Sequence, residues 1–194
     1  MNEFSQIAEY AVKKKLSGPF KAKRNRTVAL MITINAIIGC AIFVFYGAIG
    51  TALVWTLFGI LDTLIYRLLF RIEYEYCLAG GEFSVAKITD RYLRKELLSL
   101  PAADFEAVAP YREPYRTSVD RMTIARILDT TSSPDAPDRY YAIIADKEDA
   151  SLKTLLLFEP SPKLLRLIAF YNRRTVVVKF AEPAMTDQER NTSP

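Results

Sequence analysis

Glu73 and Glu75 stand two apart in a stretch whose neighbours Ile72, Tyr74, Tyr76 and Leu78 alternate with them. A spacing of two puts both carboxylates on one face of a strand. Glycoside hydrolysis uses a carboxylate pair, but the two must oppose each other across a cleft. Neighbours on one strand project side by side instead. Ser99 and Cys77 are the nucleophile candidates, and the sequence identifies no base for either. There is no histidine, which removes the commonest general base and the commonest metal ligand. Gly80-Gly81 lacks the lysine and following helix of a phosphate-binding loop. Metal ligation would fall to carboxylates alone, with no spacing that favours it. These residues predict no enzyme, no metal and no cofactor.

Asp62 is the ionisable residue in the costliest place. From Thr27 to Leu61, thirty-five residues carry no charge, and basic residues flank the run. About 20 apolar residues cross a bilayer as a helix, so the run is too long for one crossing and suits two short ones. Tyr46-Gly47-Ala48-Ile49-Gly50 is the turn-capable stretch inside it. The expected element is a transmembrane helical hairpin over 28–70, with limbs at 28–46 and 51–69. With the turn centred between Ala48 and Ile49, Asn35 and Asp62 lie equally far from it and should meet. An ionisable group inside a span costs about 2.5–3.5 kcal/mol on insertion scales unless partnered. Interhelical polar contacts return only about 0.6 kcal/mol on average, so the pair would set register more than supply stability. Two limbs alone enclose no transport pathway. Small residues (Gly39, Ala41, Ala48, Ala52, Gly59) would let helices approach closely and leave room for homo-oligomerisation.

Charge is placed unevenly. Residues 1–27 hold seven Lys or Arg against Glu3 and Glu9, whereas residues 71–180 hold 17 basic and 16 acidic residues. Lys13, Lys14, Lys15, Lys21, Lys23, Arg24 and Arg26 precede the first limb, and Arg67 and Arg71 close the second. Lys and Arg beside a span stay cytoplasmic, so the expectation is a multi-pass protein of the cytoplasmic membrane with both termini inside. The pI of about 9.0 does not point to nucleic acid, because the soluble part is almost neutral. A second span follows the first, which argues against a cleaved signal peptide. Cys40, in a limb, and Cys77, in a strand, cannot pair, as suits a reducing cytosol.

Around the hairpin, residues 1–17 show helical spacing at Phe4, Ile7, Ala8, Ala11, Val12 and Leu16, with Gly18-Pro19 as a stop. This predicts an amphipathic interfacial helix, against the plainer alternative of a helix packed on the soluble domain, then a basic juxtamembrane linker over 18–27. After Arg71 the period becomes two. Strands are expected at 72–78, 82–88, 95–100, 104–109, 122–129, 139–146 and 152–158. Gly80-Gly81 turns the first pair, a bulge falls at Ile88, and loops run over Thr130–Asp138 and Lys147–Ala150. A helix opens at Pro160-Ser161-Pro162 and runs from Lys163 to about Asn172. Residues 181–194 read as a disordered tail.

The predicted fold class is a membrane α-helical hairpin plus a mainly β (α+β) soluble domain over 71–180. Seven strands and one C-terminal helix is the element order of the pleckstrin-homology (PH) superfold, a bent seven-stranded β-sandwich or barrel closed by that helix. The chain also resembles a family of small bacterial proteins of unknown function. The resemblance rests on Ala11-Val12-Lys13-Lys14-Lys15, Ile72-Glu73-Tyr74-Glu75-Tyr76 with Gly81-Glu82, Ala109-Pro110-Tyr111, and Thr154-Leu155-Leu156-Leu157-Phe158-Glu159-Pro160. It covers about residues 4–175. It implies a Lys-rich N-terminus, two spans and a PH-like cytosolic domain, and it implies no activity.

Two surfaces remain as binding candidates. Lys13–Lys15, Lys21, Lys23, Arg24 and Arg26, with Lys87, Arg91, Arg94 and Lys95 around the turn between the second and third expected strands, suit anionic lipid headgroups. For the second cluster a solvated loop is an equal reading, since Glu82, Asp90 and Glu96 dilute it. PH domains usually place inositide-binding cations in the first hairpin, and Cys77-Leu78-Ala79-Gly80-Gly81 carries none. Tyr111, Arg112 and Tyr115 are candidates for protein contact, against the plainer reading of a rigid connector whose tyrosines pack on the domain. The expected function is a membrane-anchored binding or scaffold module for a protein partner. The alternative is an accessory subunit that docks into a larger membrane complex, such as a transporter, through the hairpin.

Overall fold

The computed structural model describes residues 7–145 and 152–176. The expected tail after Ala181, the last residues of the expected domain (177–180), the Lys147–Ala150 loop and Phe4 lie outside them. The first element corrects the sequence reading. Residues Ile7–Lys13 form a strand, β1, not an interfacial helix. Strand β1 pairs antiparallel with β2 (Ile72–Ala79), from Ile7 opposite Ala79 to Lys13 opposite Glu73. The buried residues are Ala8 and Val12. A separation of four falls on one face of a helix and equally on one face of a strand, so periodicity could not decide. Pairing with β2 decides.

The expected basic linker over 18–27 is likewise corrected, because it is the start of helix α1, Gly18–Phe70. Pro19 opens this helix rather than closing an earlier one; proline fits the first turn, whose N–H groups have no partner anyway. The helix is interrupted at Gly47 (φ 66°, ψ −164°), a backbone conformation suited to glycine. Asn35 donates to the Asp62 carboxylate across the interruption. In one straight helix those residues would stand about 40 Å apart, so the outgoing and returning limbs lie side by side. Gly39 lies against the Trp55 indole so closely that an added Cβ would come within 2.2 Å of Nε1. Helix α1 is apolar enough to cross a membrane, and 6% of its most apolar window is buried.

The remaining chain forms two sheets. The first has the order β1-β2-β3-β4, with β3 at Glu82–Thr89 and β4 at Leu93–Pro101. Gly80 and Gly81, both at positive φ, make the β2–β3 turn that two-residue hairpins require. The register of the β3–β4 pair shifts between Val85 and Ala86, where Leu97 of β4 is the extra residue, and not at Ile88. The second sheet has the order β5-β7-β8-β6, with β5 Phe105–Pro110, β6 Ile124–Asp129, β7 Tyr140–Ala145 and β8 Lys153–Phe158. Strand β6 runs parallel to β8, and the other pairs are antiparallel. A short helix, α2 (Tyr115–Asp120), precedes β6, and α3 (Pro162–Tyr171) ends the fold. The described residues thus hold eight strands where seven were expected, and the extra one is β1.

The sheets face each other across an aromatic core. Phe83 meets Phe105 (5.3 Å) and Phe158 (5.9 Å) edge to face, and Tyr76 meets Phe158 at 5.9 Å. Helix α3 buries Leu164, Leu165 and Ile168 in the same cluster as Ala8 and Val12. Ser161 caps it through Leu164 N. At its other end, Asn172 donates to the carbonyls of Ala102, Ala103 and Phe105. The Thr130–Asp138 segment is not a simple surface loop, since Thr130, Thr131, Ser132 and Ser133 are buried. Their neighbours explain this. Lys15 N donates to Ser132 O (2.8 Å), Lys14 Nζ to Thr131 O (2.9 Å), and the Ser17 and Ser133 hydroxyls bond at 2.8 Å. The start of α1 is stitched to the domain there.

Candidate functional site

The possible catalytic side chains are engaged elsewhere. Glu73 faces Lys13 (3.8 Å) and Glu75 faces Arg94 (3.5 Å), so each carboxylate has a cation across the sheet, and among the described residues neither has an acid as its cross-strand partner. Ser99 donates to Glu82 (3.0 Å), and a carboxylate alone is a poor base for a serine hydroxyl. Burial, and then the Glu9 and Glu75 carboxylates, push the Cys77 thiol up, away from the thiolate a nucleophile needs. Among the described residues no three His, Cys, Asp or Glu gather as metal ligands.

The predicted contact triad is divided. Tyr111 packs edge-on against Tyr141 (6.4 Å) and lies under Arg116 (5.6 Å) and Arg139 (5.0 Å). Tyr115 packs on the small core of Ala109, Val119 and Tyr141. Both tyrosines therefore support the second sheet. Helix α2, which carries Tyr115, was missed; its signals are Val119, which is buried, and the Arg116–Asp120 pair one turn apart (3.7 Å). Arg112 alone is exposed, and it lines a groove of about 500 Å³. That groove lies between the β5 and β7 ends and the start of α3. Pro110, Pro137 and Pro160 stiffen its rim, Arg112, Arg139 and Arg166 supply positive charge against Asp138 and Glu159, and Tyr10 of β1 reaches it. Burial raises the Tyr140 hydroxyl there against the pull of Arg112. Among the described residues strand β1 pairs on one side only, which leaves an edge beside the groove.

The basic residues fall into three settings. Lys21, Lys23 and Arg26 are exposed on the first turns of α1, and Arg24 is half-buried beside Asn25. Lys14 is tied to Thr131 and lies 5.8 Å from the Tyr74 ring centre, while Lys13 and Lys15 stay exposed. Lys87 stands opposite Lys95 in the β3–β4 ladder. The turn between those strands docks on the end of α1. Asp90 accepts from Arg67 Nε at 2.9 Å, sits 3.6 Å from Arg71, and donates its N–H to Arg71 O (2.9 Å). Sequence spacing could not reveal that junction, because its members lie about twenty residues apart in two different elements. Asn35 and Asp62, expected to meet, are brought together in α1.

Comparisons with known proteins add the family. No curated protein and no solved structure matches the chain. Residues 5–178 match the model of a family described as "Bacterial PH-like domain" (DUF6106). The match takes in α1 as well as both sheets and α3, in keeping with a helical insertion between β1 and β2. The chain therefore belongs to the bacterial PH-like domain family of unknown function.

Proposed function

We propose that the chain is a membrane-anchored binding module with no catalytic role, which crosses the cytoplasmic membrane twice and holds its PH-like domain in the cytosol for a protein partner. The observation that carries this reading is the uncovered apolar surface of α1 on a domain with a formed groove. Val44, Phe45 and Ile49 are 77–81% exposed, a state that bilayer lipid relieves and water does not. Topology supports two crossings. Helix α1 is inserted between β1 and β2, which pair from end to end, so it must leave and return on one side. Basic residues at both its ends favour the cytoplasm for that side. The partner lies as an extended segment along the groove, with an acidic side chain against Arg112 and the β1 edge within reach of its backbone.

The test is purification of the full chain from its native membrane in mild detergent, beside Arg112→Glu and Asp62→Leu. Loss of a stoichiometric partner from Arg112→Glu alone, with melting unchanged, supports the groove. Loss from Asp62→Leu alone favours the subunit reading, for which the half-buried Asn35–Asp62 pair is the motivating observation. Retention in both variants overturns both readings.

A further inference from the structure

A second cavity, of about 410 Å³, opens where α1 rejoins the domain. Lys13, Lys14, Arg71 and Arg91 line it, and among the described residues Glu73 is the one carboxylate in its lining. Tyr66 and Phe70, from the last turns of α1, form its apolar wall. Four cations gathered in one concavity repel one another unless an anion joins them. Three are partly occupied: Lys13 by Glu73, Lys14 by Thr131 O, and Arg71 by Asp90. Arg91 makes no hydrogen bond or ion pair with the described residues.

The position of Arg91 is itself unusual. Asp90 and Arg91 have φ values of 50° and 68°, and Tyr92 N donates to Thr89 O (3.3 Å) across them. Both central residues of this tight turn are in the left-handed region, where Asn-Gly or Asp-Gly is the preferred sequence. Arginine there is strained, and such strain persists where the surroundings hold it. Here the holding group is visible: Asp90 is clamped by Arg67 and Arg71, so the turn presents Arg91 to the cavity. Beyond it Tyr92 is 81% exposed and Leu93 58% exposed. Aromatic and apolar side chains beside cations at a helix end fit the interface between headgroups and acyl chains.

We infer that this cavity binds the phosphate headgroup of an anionic phospholipid, with Arg91 as its principal ligand and the acyl chains leaving it past Tyr66. The inference rests on the membrane reading above, because only then does the cavity lie at headgroup depth. The guanidinium supplies a planar, two-pronged donor suited to phosphate oxygens. Lys13, Lys14 and Arg71 supply the field that makes an anion preferable to zwitterionic phosphocholine.

Full-length chain in mild detergent is titrated with phosphatidylglycerol or phosphatidylcholine, and bound lipid is counted by native mass spectrometry. Wild type retains one phosphatidylglycerol and little phosphatidylcholine. Arg91→Gly puts at that φ the residue that adopts it most easily, so the melting temperature holds or rises while phosphatidylglycerol retention falls about tenfold. Arg91→Lys recovers part of it. Equal retention by Arg91→Gly and wild type overturns the site. Glycerol 3-phosphate binding as tightly as the lipid overturns the lipid assignment in favour of a soluble phosphoester. Alkaline carbonate extraction is read in parallel. A chain that washes out of membranes sinks the membrane reading, whereas one that stays but does not prefer phosphatidylglycerol sinks this inference alone.

Discussion

Tyr76 shows how one buried polar side chain joins the two halves of this fold. It lies in the first sheet with no exposed surface, and its hydroxyl donates to Thr130 O (2.6 Å) at the edge of the second. Tyr76→Phe keeps the ring but leaves that carbonyl unpaired, and should cost about 1–3 kcal/mol in denaturant unfolding. Burial also pushes the Tyr76 hydroxyl well above its usual value, and burial raises Tyr74 and Tyr141 as well. In the unfolded chain these phenols ionise near the ordinary value of about 10, whereas the folded ones hold their protons. Their contribution is thus complete below that pH and is lost as pH rises toward the folded values. Melting temperature should fall from about pH 10 upward, and less steeply in Tyr76→Phe. At this scale the sequence was informative about symmetry and silent about junctions. Asn35 and Asp62 could be matched because one turn relates them. Arg91 could not be singled out from Lys87, Arg94 and Lys95, since its backbone conformation and the Asp90 clamp exist only in the folded turn.

Among the elements, β1 carries the main lesson. Ala8 and Val12 sit in the core beside Leu164, Leu165 and Ile168. Val12→Asp would bury an unpaired charge there, and the domain should lose about 3 kcal/mol or more, read as loss of a cooperative melt. A domain cut at residue 71 lacks this strand, exposes the β2 edge and should melt without cooperativity. A chain that joins residues 7–17 to 71–176 by a short flexible linker restores the ladder and should melt cooperatively, as circular dichroism would show. The strands after Arg71 were legible because alternation and turn residues agree with the pairing they adopt. The seven-residue β1 was not, because its partner lies about sixty residues away, and local spacing carries no record of a non-local ladder.

At the scale of the molecule, the apolar helix is an insertion inside a paired strand ladder. This predicts the outcome of cysteine labelling in a chain with Cys40 and Cys77 changed to Ser. Ala48→Cys should react with an impermeant maleimide in intact cells, and Lys23→Cys only after lysis. Labelling of Lys23→Cys from outside would reverse the proposed orientation. A uniform 35-residue uncharged run, its flanking cations and the period-two pattern beyond it belong to the sequence alone. They determine that one segment is apolar enough to avoid water and that the segment after it is mainly sheet, because hydropathy and alternation are properties of neighbours. Which strand completes the first sheet, and where α1 rejoins it, depend on residues far apart in the chain. So do the groove beside Arg112 and the cationic cavity around Arg91. The tertiary structure alone decides these features, because pairing energy is gained only when distant segments meet, and the order of residues does not state which segments do.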